Sequence, residues 1–264
     1  MDLQFRALSR MRPRDPVLVE GLPGIGNIGL ISVDYLIDRL EARPFAELYS
    51  RHFPPVAILD DDDQASLPSN ELYVHRRCGG DILFLRGDAQ AISSEGQHAV
   101  ARGIIDTCHT LGVRRVVTVG GFYTDPGEIK GEPKILVATS SAAVRATIAA
   151  GGLAGRVEFQ SDLGGGTIFG ANGLLLGFAH LQGMEGLSLM VQTLHKDEYG
   201  FDLDASCMAI DALSRLLDIP CTPQDLARDM AAVSNEISDS ALGPRHSILK
   251  ALTKAPSEDD FYVR

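Results

Sequence analysis

Three glycines, Gly24, Gly26 and Gly29, stand at G-x-G-x-x-G spacing between a short apolar run and a helical pattern. Glycine reaches positive φ without a Cβ penalty and lets a ligand or another backbone come close. A helix opening at such a turn offers unpaired N–H groups to an anion. The motif has two readings: a nucleotide or nucleoside site, or a tight strand-to-helix turn with no ligand. A dinucleotide site also needs an acid about 20 residues on, at the end of the second strand. Glu47 is the nearest acid, but it falls inside the predicted strand, and Pro23 in the loop is unusual for that fold. A second glycine-rich segment runs from Gly164 through Gly170 to Gly173, and Gly120-Gly121 stands at the end of a predicted strand. These could line one rim of a sheet, where open α/β folds bind ligands, or let subunits approach closely.

Other chemistry is sparse. Neither glycine cluster is followed by Lys-Ser/Thr, and neither G-x-S-x-G nor H-E-x-x-H occurs. The seven histidines do not pair at i, i+4 on a helix, and the four cysteines (Cys78, Cys108, Cys207, Cys221) show no CxxC spacing. They read as small buried hydrophobes. The run Asp60-Asp61-Asp62-Asp63 lacks the glycine and the twelfth-position acid of a calcium loop and reads as a solvated acidic loop. No metal or cofactor is expected.

The elements that would position these residues follow from periodicity. Strands are predicted at 17–20, 46–50, 56–59, 71–76, 82–86, 116–121, 134–138 and 187–192. Helices are predicted at 28–41, closed by Pro44, at 93–112, ended by Gly112, at 141–150, capped by Thr139 or Ser140, and at 171–182. Two more begin at Asp204 and at Thr222-Pro223. Buried β-branched strands alternating with helices predict an α/β fold: a mainly parallel or mixed sheet covered on both faces, plus C-terminal helices. Residues 1–242 are expected to form a single domain and 243–264 a flexible tail.

The net charge of −11 disfavours a phosphate backbone, so nucleic acid is not an expected partner. The N-terminal residues lack the apolar core of a signal peptide, and no apolar run reaches the ~18 residues that span a bilayer. A cytoplasmic protein without membrane contact is the expectation.

The run Leu18-Val19-Glu20-Gly21-Leu22-Pro23-Gly24-Ile25-Gly26-Asn27-Ile28-Gly29 resembles the opening of the proteasome assembly chaperone family, archaeal branch. The similarity continues through Phe53-Pro54-Pro55, Asp81 to Asp88, Gly120-Gly121 and Gly170 to Leu176. It implies a three-layer α/β/α subunit, nucleoside-phosphorylase-like in shape but not an enzyme. It also implies homo-oligomers, tetramers or pentamers, that bind the 20S proteasome α subunits as an assembly chaperone or ATP-independent activator. In such relatives a C-terminal hydrophobic-Tyr-any motif docks. Here the sequence ends Phe261-Tyr262-Val263-Arg264, with Tyr third from the end rather than second. These four residues are the candidate docking group. Gly21, Gly24, Gly26, Gly29, Gly170 and Gly173 are structural glycines or an anion site. The alternative function is a nucleotide- or nucleoside-binding α/β enzyme using the first glycine turn.

Overall fold

A computed structural model describes residues 2–60, 62–127, 133–195 and 200–221, and positions 226, 228 and 229. Eleven strands and five α-helices are present among them. The strands are β1 (Gln4–Ala7), β2 (Val17–Glu20), β3 (Arg43–Tyr49), β4 (Ile58–Leu59), β5 (Ala65–Ser66), β6 (Asn70–His75), β7 (Ile82–Gly87), β8 (Arg115–Tyr123), β9 (Ile135–Thr139), β10 (Glu158–Phe159) and β11 (Glu185–Thr193). The helices are α1 (Ile28–Arg39), α2 (Ser94–Thr110), α3 (Ala142–Ala150), α4 (Gly170–Leu181) and α5 (Leu203–Leu217).

Nine strands form one mixed sheet in the order β1-β3-β6-β7-β2-β8-β11-β9-β10. Its centre is parallel: β2 lies between β7 and β8, and β8 pairs with β11. The β1, β3 and β6 side is antiparallel, and so is the β11–β9 junction. The central strands are buried on both faces, which is why Val17-Leu18-Val19 and Ile82-Leu83-Phe84-Leu85 are unbroken apolar runs rather than alternating ones.

Side chains alternate across each strand, so one strand feeds two cores. Val19, Phe84, Val117 and Leu189 join α1, α3 and α5 on one face. Leu18, Leu85 and Val116 join α2 and α4 on the other. The expected three-layer arrangement is therefore present, with a mixed sheet.

Several boundaries differ from expectation for identifiable reasons. Pro44 does not close α1; it lies inside β3, at a register shift between Pro44 and Ala46 that an edge-side strand tolerates. The helix ends at Arg39 with Leu40 as its C-cap, and Glu41 turns the chain with φ +48°. Ser141, not Thr139 or Ser140, caps α3, its hydroxyl accepting from Val144 N–H. Asp202 caps α5 through Ala205 N–H, ahead of Asp204. β8 runs through Gly120 and Gly121 to Tyr123 instead of ending at them. Asp60 forms the turn of the small β4–β5 hairpin, its Oδ1 accepting from the N–H groups of Asp62 and Gln64. Cys78 is exposed, against the expectation of burial, while Cys108 is buried. The helix expected from Thr222 and the tail from residue 243 fall, apart from positions 226, 228 and 229, outside the described residues. None of the helices among the described residues is long and apolar enough to cross a membrane.

Candidate functional site

β2 is the central strand, and its carboxyl end runs directly into the first glycine turn. Gly21 N–H donates to Leu85 O and so continues the ladder to β7. A Cβ on Gly21 would fall 2.1 Å from Gly29 O, and one on Gly29 would fall 2.2 Å from Val119 O. These two glycines let the start of α1 lie against β2 and β8. Gly26 adopts φ +62°, a left-handed conformation, and Asn27 follows at φ +49°. Gly24 is different: its backbone is extended, and no atom lies closer than 3.9 Å to its Cβ direction.

The turn is held by the protein's own groups. Leu22 N–H donates to Glu20 Oε1, Asn27 N–H to Gly24 O, and Asp202 N–H to Gly26 O. Asn27 Nδ2 donates to Gly200 O. Gln90 bridges the two glycine segments: its Nε2 donates to Pro23 O at 2.6 Å, and its Oε1 accepts from Ala171 N–H at 3.0 Å in the first turn of α4. In that second segment Gly170 has φ +73°, and a Cβ on Gly173 would meet Ile168 O at 2.1 Å. A Cβ on Gly120 would meet Asn172 Nδ2 at 2.1 Å.

The two segments and the end of β8 enclose a cleft of about 580 Å³ at the carboxyl rim of the parallel strands. Its walls are polar and apolar in about equal measure: Leu22, Ile25, Phe122, Ile168 and Met190 alternate with Gln90, Gln97, Thr167, Asn172 and Tyr123. No Asp, Glu, Lys, Arg or His side chain lines it among the described residues. Phe169 and Ile92 stand exposed at its mouth.

A row of polar residues runs beneath this cleft, on the α2/α4 face. Glu20 lies opposite Thr118 of β8, and Thr118 lies opposite Ser188 of β11. All three are fully buried. Thr118 Oγ1 donates to Asn172 O, while Glu20 Oε2 and Ser188 Oγ have no hydrogen-bond partner. Burial pushes the Glu20 carboxyl up to about 8, against the smaller opposite pull of the Leu22 N–H. At neutral pH it is therefore mainly a neutral acid.

Gly21, Gly24, Gly26 and Gly29 gather at one rim with Gly170 and Gly173, whereas Phe261, Tyr262, Val263 and Arg264 lie outside the described residues. Glu47 does not approach the turn. It lies on β3, separated from β2 by β6 and β7, and its Oε2 accepts from Arg6 and Tyr49. The strand following α1 thus supplies no ribose-binding acid, and among the described residues no lining cation faces a phosphate. Gln90 and Glu20 escaped the sequence reading. Glu20 had a signal, an acid inside an apolar strand immediately before glycine; Gln90 had none, since nothing in Ala89-Gln90-Ala91 predicts its two distant partners.

Comparison with known proteins then places this architecture. A model of the PAC2 family matches residues 18–241. An uncharacterized protein of Methanocaldococcus jannaschii is 30% identical over 244 residues, spanning 92% of this chain and 90% of that one. The crystal structure of Pyrococcus furiosus PbaB, an archaeal proteasome activator, superposes with a TM-score of 0.78 at 31% identity, covering 90% of this chain and 99% of that one. P. furiosus PbaA, an archaeal homolog of proteasome-assembly chaperone, shares the fold with a TM-score of 0.72 at 17% identity, with both chains covered completely. By sequence and by fold, the chain belongs to the PAC2 family.

Proposed function

We propose that this protein is a non-enzymatic, proteasome-associated factor, a chaperone or ATP-independent activator of the 20S proteasome. The observation that carries this reading is the similarity to PbaB, 31% identity over 90% of this chain. The site agrees with it: Gly21, Gly26 and Gly29 of the first turn serve internal packing and hydrogen bonds, and among the described residues the cleft is lined by no charged side chain that could run acid–base or phosphate chemistry. Docking is assigned to the stretch Asp259-Asp260-Phe261-Tyr262-Val263-Arg264, in which two adjacent aromatics supply apolar anchors on an otherwise polar segment. The partner surface is that of the 20S α subunits. The protein acts as a homo-oligomer in the cytoplasm, and several such segments on one assembly add avidity.

The test is a pull-down of archaeal 20S proteasome, and of its free α subunits, with the full chain and with Tyr262→Ala. The expected result is capture by the full chain and at least a tenfold loss with the variant. Capture of neither would overturn the proteasome reading. Equal capture by both would retain the partner and remove the tail as the docking element.

A further inference from the structure

Among the described α-helices, α4 alone carries no Asp, Glu, Lys or Arg. A helix that is apolar all round belongs inside protein. This one is not enclosed: only Leu175 and Ala179 are buried, where α4 packs on α2, β8 and β11. The two most exposed large apolar side chains among the described residues bracket it, Phe169 at 86% and Leu181 at 76%. Gly170, Leu174, Gly177 and Leu181 recur at i, i+4, i+7 and i+11, so they share one face, opposite Ala179. On that face a Cβ at Gly177 would meet nothing within 4 Å. Polar groups rim it. His98 and Arg102 of α2 lie against the Phe178 ring on one flank, and His180 is exposed on the other. An exposed apolar patch with a polar rim marks an interaction surface.

The order of residues along this face is self-complementary. A second copy turned about a two-fold axis between Leu175 and Leu176 sets the two helices antiparallel. Leu174 of each copy then faces Gly177 of the other, and Leu181 of each faces Gly170 of the other. Leucines meet glycines throughout, which lets the helix axes approach to about 8 Å, the near end of the packing range. The C-terminal end of each helix arrives at the N-terminal end of the other, where α4 has no side-chain cap. That is the favourable sense for two helix dipoles. Charge selects the same face. A chain of net charge −11 repels its own copies, and along α4 two copies meet without bringing any carboxylate, lysine or arginine of the helix together.

We infer that the α4 face is a two-fold interface between copies of this chain, built on Leu174, Gly177 and Leu181. This names the surface of the homo-oligomer proposed above and rests on that reading. Such a contact is isologous, one patch serving both copies, so the assembly has an even number of subunits. The interface also reaches the candidate site. Phe169 and Gly170 belong both to the cleft lining and to the N-terminal end of α4. Leu181 of the second copy therefore comes to rest at the cleft mouth, beside Phe169, and the second copy completes the cleft wall.

Gly177→Arg is the sharpest test. Its side chain has open space in the single copy, and arginine is a better helix former than glycine. In the pair it sets two guanidinium groups at the two-fold axis. The subunit number of the full chain is read by light scattering for wild type, Gly177→Arg, Leu181→Arg and a control, Leu67→Arg, whose leucine is exposed beside β5. The wild type is expected to give an even number. Gly177→Arg and Leu181→Arg should each halve it with unchanged circular dichroism, and Leu67→Arg should leave it alone. Placement is read separately. In a Cys78→Ser background, which removes the exposed cysteine, Gly177→Cys should be coupled copy to copy by a short bis-maleimide, and the background chain should not. A monomeric wild type would overturn the homo-oligomer reading and this interface with it. An oligomer that survives both arginine variants, or one with an odd number of subunits, keeps that reading and overturns the α4 assignment. Should the arginine variants fail to fold, the cysteine pair decides, and absence of coupling through residue 177 overturns the interface.

Discussion

The two faces of the central sheet solve the same packing problem with different chemistry. Toward α1 and α5, the level just below the carboxyl rim is Val19, Val117 and Leu187, all apolar and fully buried. One residue further along the same strands, toward α2 and α4, stand Glu20, Thr118 and Ser188. Polar groups on the α1/α5 side are mostly closed locally. Ser32 donates to Ile28 O, Ser206 to Asp202 O, and Arg86 Nε lies 2.7 Å from Asp34. On the α2/α4 side, Glu20, Asn70 and Ser188 each keep an unpartnered buried atom. On the α1/α5 side, Ser214 Oγ of α5 is likewise buried without a partner. The polar face is also the face beneath the cleft.

The largest test of this contrast transplants the polar group. Val19→Glu moves a carboxyl one residue back and onto the dry face, among Ile28, Phe84 and Val117. With no partner there, the change is expected to cost roughly 3–5 kcal/mol in chemical denaturation. A cost below about 1 kcal/mol would show that the two faces do not differ in their tolerance of polarity.

The next effect is a pH dependence. In the unfolded chain Glu20 titrates at its ordinary 4.5, whereas in the folded chain it titrates at about 8. Between these values the unfolded chain has released the proton that the folded chain still holds. The unfolded state then binds fewer protons, so this residue makes stability fall as pH rises, by about 1.4 kcal/mol per pH unit at most. Glu20→Gln removes the titrating group and keeps the shape. Its stability relative to wild type is expected to rise steadily from pH 5 to pH 8. A difference that is flat across this range would mean that Glu20 is ionised within the fold.

The contrast also marks where sequence stops being informative. The apolar runs in β2, β7 and β8, and the cap at Gly112 with φ +83°, follow from local chemistry and are legible. So is the gathering of glycines at one rim, because strand–turn–helix order puts them there. The role of each glycine is not legible. Gly21 and Gly29 are fixed by backbone atoms 2.1 and 2.2 Å from their absent Cβ atoms, and Gly24 by nothing, yet the motif treats them alike. Edge strands β1 and β10 escaped notice because each is short and completed only by a distant partner, β3 and β9 respectively. Gln90 and Asn70 belong to the same class. Their meaning lies in what the fold brings against them, and a polar residue at a strand end or in a loop carries no local sign of it.

The smallest expected effect probes the unpartnered atoms themselves. Ser188 Oγ and Ser32 Oγ are both buried hydroxyls, one without a partner and one donating to Ile28 O at 2.6 Å. Removing a made hydrogen bond costs about 1 kcal/mol, while removing a group that has none relieves a desolvation penalty. The shape change, one oxygen lost, is the same in both. Ser32→Ala is therefore expected to destabilise by about 1 kcal/mol, and Ser188→Ala to shift stability by less than about half of that, in either direction. Equal losses for the two would mean that Ser188 is satisfied in solution by a bound molecule. The polar face would then be a hydrated one, and the asymmetry between the two faces would lie in what enters from the cleft rather than in the bare protein.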